Sequence, residues 1–600
     1  MKGAQKIYFR RRQLSIALAG LVFFGFAVRA ADNPNSIIFS KHNLSVSSPG
    51  TVHAVTESDV CIFCHTPHHA SATDGPLWNH QMSSATYTPF TSATLQALHI
   101  TIGQPNGSSR LCLSCHDGTI ALGSVSSCPS GIAMNTATIS GTNNLGTDLT
   151  SDHPVSFIYN SALASAASAY PAAGGLVDPA TPGALPPEVA LDQSGQMQCT
   201  TCHDPHNNQY GYFLVMDNSS SQLCVTCHTL NGWSGSAHAV SSKLLPQTLA
   251  SQIAPAKSGL QSKAAAPVNT VAHAACATCH VSHAAGIKSA LMRFATPERN
   301  CIDCHAGDGP GKNVATDLKK FSAHPISLDS TAHNPREDLI NPPTRHATCA
   351  DCHNPHAVSS VPAGKKQISG ALAAVSGISA GGGQLNAVAH EYELCFRCHG
   401  DSVARGPARV PRQFAQTNTR LEFSPGNVSF HPVESVGKNP SAPSLILPLT
   451  SSSQIGCVDC HNSDQSPAAG GSGANGPHGS VYSPLLERQL RLTDGTPYNP
   501  ADFALCYKCH SPSVVDSDLA SSWQYHRTHI ENYRAACTTC HDSHAATQPH
   551  LINFNTAYVL PNNGVIKYIS TGPNQGTCTL TCHDGNGHNT THAAKKYPQP

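Results

Sequence analysis

The sequence predicts a mostly irregular, loop-rich chain with short α-helices, built as six similar units in series. Three observations carry that expectation. Of 600 residues only 6% are aromatic and 12% are charged, while Gly (46) and Pro (43) are frequent. Side chains alone therefore offer little of the apolar surface that folds a chain of this length. The pentapeptide Cys-x-x-Cys-His recurs along the chain in pairs, which marks an array of small units rather than one large fold. The clearest helix signals are short, and they end in that pentapeptide.

In chain order the copies are Cys61, Cys64 and His65; Cys112, Cys115 and His116; Cys199, Cys202 and His203; Cys224, Cys227 and His228; Cys276, Cys279 and His280; Cys301, Cys304 and His305; Cys349, Cys352 and His353; Cys395, Cys398 and His399; Cys457, Cys460 and His461; Cys506, Cys509 and His510; and Cys537, Cys540 and His541. A twelfth, Cys578, Cys582 and His583, carries one extra residue between the thiols. Together they use 24 of the 25 cysteines. Two thiols at this spacing add across the two vinyl groups of a porphyrin, and the adjacent imidazole binds the iron. Zinc ribbons share the Cys-x-x-Cys spacing, but zinc gives no reason for a histidine after every second cysteine. A disulfide framework fails on the same point. The expectation is twelve covalent haem c groups, whose large apolar plates replace the missing core as a haem stack, each unit holding two.

The units take soft boundaries in Ala-, Pro-, Gly- and Ser-rich stretches, read as spacers or surface loops: Ser161 to Ala190, Ser251 to Thr270, Val361 to Asn386 and Asp464 to Gly476. This gives 31–160, 161–250, 251–320, 321–420, 421–520 and 521–600. Residues 1–30 read as a cleavable secretory signal, with Lys6, Arg10, Arg11 and Arg12 before an apolar run from Leu14 to Val28 and small residues at Ala30 and Ala31. Export to the periplasm or cell exterior is the expectation. No later segment is long and apolar enough to span a bilayer. Short helices are expected before two second motifs, with Thr296 as cap and Pro297 at the first position, and likewise Asn499 and Pro500.

The other face of each iron needs a ligand, and five methionines after the signal are too few. Of 36 histidines, 24 remain beyond the motifs. One class lies three residues after a motif histidine: His68, His206, His283, His356 and His544. A ligand so close to one haem cannot reach over its own ring and should serve a neighbour. In the fifth pair Asp464 occupies that place and His478 substitutes. A second class precedes each pair: His42 or His53, His153, His238 or His273, His324 or His346, His431, and His526 or His529. His80, His390 and His588 are reserves. His69, His99, His333, His550 and His592 read as surface residues, and Cys128 as an inert odd thiol.

These residues resemble the doubled-CxxCH multihaem c-type cytochromes of metal-reducing bacteria, through KHNLSVSSPG, VCIFCHTPHHA, PLWNH, LCLSCHDGTIALG, DHPVSFIYN, QCTTCHDPHNN, GCVDCHNSD and NGPHGS. The resemblance implies outward respiratory electron transfer to metal oxides or partner cytochromes. Equal numbers of basic and acidic residues, 35 each, offer no field for nucleic acid. An electron carrier rather than an enzyme is expected. A multihaem oxyanion reductase would need an open iron, often beside a lysine in place of the motif histidine, and no Cys-x-x-Cys-Lys occurs. A self-assembling, filament-forming conductor is the third reading.

Overall fold

The computed structural model describes residues 33–597 except 72–74, 76, 169–173, 254–268, 308, 327–337, 342–346, 365–367, 403–407, 518–522, 573–574 and 584–588, and only the backbone of 583 and 589–597. Residues 1–30, which the sequence reads as a secretory signal, and His333, His346 and His588 therefore lie outside the described residues, as do the side chains of His583 and His592.

Loops dominate, and regular elements are short, as the composition predicts. The longest described helices are Gly107–His116 and Glu391–His399, both ending on a motif histidine. Asn499 caps as expected, its side chain accepting from the Ala501 N–H at 3.1 Å with Pro500 at the first position. Thr296 does not cap. There the helix is only Arg299–Ile302, because the Asn300 side chain ties back to the Thr296 carbonyl at 3.0 Å and closes the preceding chain into a turn.

Antiparallel ladders of two residues join segments far apart in sequence: Phe157–Ile158 with Gln196–Met197, Ser322–Ala323 with Gly479–Ser480, and Ser429–Phe430 with Ala545–Ala546. The exception is a four-stranded sheet at the C-terminal end. Its central strand, Gln575–His583, pairs with Lys567–Gly572, Val559–Leu560 and Asn589–Tyr597.

Apolar packing is divided into six small clusters, each placed at the second motif of one pair. Leu113 packs with Tyr87 and Leu149, Cys227 with Tyr159, Leu163 and Met197, and Cys304 lies against Leu245, Leu249 and Val271. Phe396 packs with Ile378, Phe423 and Val433, Tyr507 lies against Phe503 and Ile530, and Cys578 and Cys582 lie against Phe554, Val559 and Leu580. Two predicted spacers contribute to these clusters. Helix Ser161–Ser168 buries Leu163, and Ile378 is buried between Phe396 and Leu339. Their small-residue composition hid single apolar anchors.

Candidate haem centres

The local fold of a motif is one helical turn. The N–H of the histidine donates to the carbonyl of the first cysteine in His65, His203, His280, His305, His353, His461, His510 and His541, at 2.8–3.0 Å. At Cys199–Cys202 the turn is started by the Gln198 N–H donating to the Thr201 hydroxyl. Asp351 accepts from the Thr348 N–H in the same way at Cys349–Cys352. These reciprocal caps satisfy orphan donors that so short a helix cannot satisfy itself.

The motif imidazoles do not stand alone. His116 faces His42 with ring centroids 6.2 Å apart, His65 faces His206 at 6.1 Å, His228 faces His153 at 6.3 Å and His203 faces His283 at 6.3 Å. His305 faces His238 at 6.4 Å, His280 faces His356 at 6.1 Å, His399 faces His324 at 6.4 Å and His353 faces His478 at 6.0 Å. His461 faces His544 at 6.3 Å and His541 faces His526 at 6.2 Å. His431 and His510 lie close enough to interact electrostatically.

That spacing has a chemical meaning. A metal ion about 2.0 Å from a nitrogen of each ring would fit between two imidazoles at this separation, so each facing pair could hold one metal. Among the described residues no three His, Cys, Asp or Glu gather into a metal cluster. The imidazoles come in twos, so the remaining positions around a shared metal fall to a macrocycle. Beside Cys199 and His283, an apolar cleft lined by Phe90, Ile102, Leu113 and Leu149 suits such a plate. The donor set fits haem c.

Electrostatics and hydrogen bonding prepare the rings. Burial holds His42, His228, His356, His461, His478 and His510 down to about 4, so they are neutral imidazoles at pH 7. Most Nδ1 atoms are engaged with carbonyl oxygens: His116 with Asn143, His203 with Tyr212, His280 with Ala290, His353 with Ala371 and His541 with His550, at 2.8–3.0 Å. An Nδ1–H that donates to a carbonyl leaves Nε2 as the lone pair for a metal.

The facing histidines of one pair are clamped to each other. His238 Nδ1 engages the carbonyl of Pro355, next to His356, and His324 that of Pro477, next to His478. His42 reaches Pro205 and His431 reaches Ser543, beside His206 and His544. The His153 N–H donates to Ser282, beside His283, at 2.8 Å. In each clamp one histidine precedes the pair it faces, and the other comes from the pair that follows. The two-residue ladders at 322–323 and 429–430 extend these clamps.

The thiols form a series in chain order. Within pairs the second cysteines feel each other: Cys64 and Cys115, Cys202 and Cys227, Cys279 and Cys304, Cys352 and Cys398, Cys460 and Cys509, Cys540 and Cys582. Between pairs the first cysteines meet within hydrogen-bonding reach: Cys112 and Cys199, Cys224 and Cys276, Cys301 and Cys349, Cys395 and Cys457, Cys506 and Cys537.

Of the alternatives left open by sequence, His42 and His238 face a motif imidazole, whereas His53 engages its neighbour's carbonyl at Ala54 and His273 sits in the helix Val271–Ala274. His526 faces His541, and His529 stacks on Trp523 at 4.8 Å. His68 is exposed on its loop. Asp464 is buried in an ion triad with Lys320 and Asp317. His80 is buried with both nitrogens on backbone carbonyls, of Gln81 and Ala121. Cys128 lies near Ser130 and Gly131. Cys578 and Cys582 stand on a strand, not on a helical turn.

A family model described as the doubled CXXCH motif matches residues 193–231. Comparison with curated proteins returns no match. The match covers the Cys199 and Cys224 motifs and marks a multihaem c-type cytochrome motif, with covalently bound haem c and electron transfer as its chemistry.

Proposed function

We propose that this chain holds haem c at its eleven Cys-x-x-Cys-His motifs, each facing a second imidazole, with a twelfth at Cys578 and Cys582, and carries electrons along them in chain order. The observation that carries this reading is the repeated facing of a motif histidine and a second histidine at 6.0–6.4 Å. Each haem, when bound, supplies a one-electron Fe(III)/Fe(II) couple. The chain does the rest: the cysteines would fix each group, and each facing pair of imidazoles would supply two nitrogen donors to its iron. The backbone clamps hold that geometry in both oxidation states.

The serial thiol contacts support a linear wire, and the second imidazole at eleven of the motifs disfavours an oxyanion reductase at those centres. Respiratory transfer in the periplasm or at the cell exterior, to metal oxides or partner cytochromes, is the role that export and the resemblance support. Intact mass under denaturing conditions tests the count, with twelve added haems expected. Carbon monoxide added to the reduced protein is expected to leave the spectrum unchanged. A CO-binding fraction would overturn the all-histidine reading.

A further inference from the structure

Two of the facing histidines have their second nitrogen within hydrogen-bonding distance of a largely buried carboxylate, whereas His206 Nδ1 lies 3.5 Å from the exposed Asp204. His283 Nδ1 lies 3.0 Å from Oδ1 of Asp152, and His544 Nδ1 lies 2.9 Å from Oε2 of Glu422. Both carboxylates are largely buried, with side chains 8% and 12% exposed. Both come from other segments of the chain: Asp152 directly precedes His153, and Glu422 ends the helix Thr419–Glu422. Near His544 the other carboxylate, Asp542, is matched by Arg412 at 3.3 Å. By contrast His42, His116, His203, His280, His305, His353 and His461 meet neutral carbonyls, and the buried Nδ1 of His478 has no acceptor among the described residues.

Resting on the proposed function, we propose that Asp152 and Glu422 are positioning residues that make the His203–His283 and His461–His544 centres low-potential sites in the array. An Nδ1–H donating to an anionic oxygen gains imidazolate character, and the ring becomes a stronger donor to iron. Both that donation and the nearby negative charge favour Fe(III) over Fe(II). One electron from an external reductant converts each Fe(III) to Fe(II), and no proton moves. The two sites lie in the second and fifth pairs, so an electron moving along the wire meets a step at each. His353–His478, with no such acceptor, lies between them on the high side.

The test is spectroelectrochemical titration of the full haem-loaded chain as wild type, D152N, E422Q and the double variant, with E188Q at an exposed carboxylate as control. Each single substitution is expected to shift one low-potential component upward by about tenfold in its Fe(III)/Fe(II) equilibrium, which is about 59 mV for a one-electron couple. The double variant shifts two, D152E and E422D restore them, and E188Q shifts none. Unchanged titrations with full haem content overturn the proposal. Haem content below that of wild type implicates folding, and the decision then passes to redox-poised electron paramagnetic resonance of the wild type. There the last ferric signals are expected to carry the compressed g-spread of imidazolate ligation. Last ferric signals identical to the rest overturn the proposal. A failed haem count or a CO-binding fraction would instead strike the proposed function, so the two failures are distinguishable.

Discussion

The interior pairs and the C-terminal pair bring their second imidazoles together in different ways. In the interior, one histidine comes from ahead of the pair and the other from the pair that follows, as with His324 and His478 clamped through Pro477. In the C-terminal pair His541 is faced by His526, from just ahead of its own motif. Its second motif lies on the strand Gln575–His583, with Cys582 in register with Val559 and Thr590. Four residues of strand set Cys578 and Cys582 on one face but about 13 Å apart along the chain, whereas the other motifs close their thiols onto one helical turn. Interior centres are therefore woven into their neighbours, whereas the terminal one stands on a sheet packed against its own pair at Cys540.

The largest expected effect breaks that comparison directly. Replacing Cys199 and Cys202 by Ser removes a centre whose ligand His283 and whose contact Cys112 belong to adjoining units. The matured protein is expected to fall at least about tenfold in yield, because the cofactor plates carry the apolar burial that the six small clusters do not. The pair Cys578→Ser and Cys582→Ser is expected to accumulate with one haem fewer and a nearly unchanged thermal midpoint. Haem-stained yield and intact mass check both. Equal losses would show that the terminal sheet is as integral as the interior.

Next in size is the buried triad at the fourth and fifth pairs. Lys320 Nζ lies 2.6 Å from Asp317 and 2.7 Å from Asp464, all three side chains being at most 15% exposed. Burial works against the Asp464 anion, but hydrogen bonds from Lys320 outweigh it and hold the carboxyl below its usual range. Lys320→Met leaves two buried carboxylates without their cation and is expected to cost about 3 kcal/mol at pH 7. The sign with pH follows. A depressed carboxyl stabilises the fold above its ordinary pKa and loses that contribution as pH falls, so the difference between wild type and variant is expected to shrink on acidification. Thermal unfolding at pH 7 and pH 4 measures it.

A smaller and more local effect sharpens the weave. His206→Met is expected to change the spectrum and raise the potential of the centre at His65, leaving that at His203 unaltered, although His206 is only three residues from His203. A methionine–iron band amounting to one centre is the signature to find. His526→Met is expected to act instead on its own pair, at His541.

These assignments mark how far the sequence could be read. Motif positions were legible because thioether chemistry is local, needing two thiols and an imidazole on one turn. Which histidine faces which was not, because it depends on ladders of two residues, too short to leave a periodic signal. His-Pro and His at the third place after a motif histidine pointed to the clamps, and Asp464 in place of a histidine directed attention to His478, whose ring lies 6.0 Å from that of His353. The terminal sheet carried a signal that went unused: Thr577, Thr579 and Thr581 alternate with larger residues, as a strand prefers. Asp152 sits beside a candidate ligand, but Glu422 leaves no trace in sequence, since a single carboxylate on a four-residue helix has no pattern.

The smallest expected effect lies at the other end of the weave. His68 belongs to the class whose other members, His206, His283, His356 and His544, each face the first motif of the preceding pair. Its own side chain is exposed. A residue free of packing changes stability by no more than about 0.5 kcal/mol on truncation, so His68→Ala is expected to leave haem count, potentials and thermal midpoint as they are. That holds for a chain acting alone. If the substitution instead alters one centre, and does so only at concentrations where the protein associates, then the exposed imidazole is being used by a second copy.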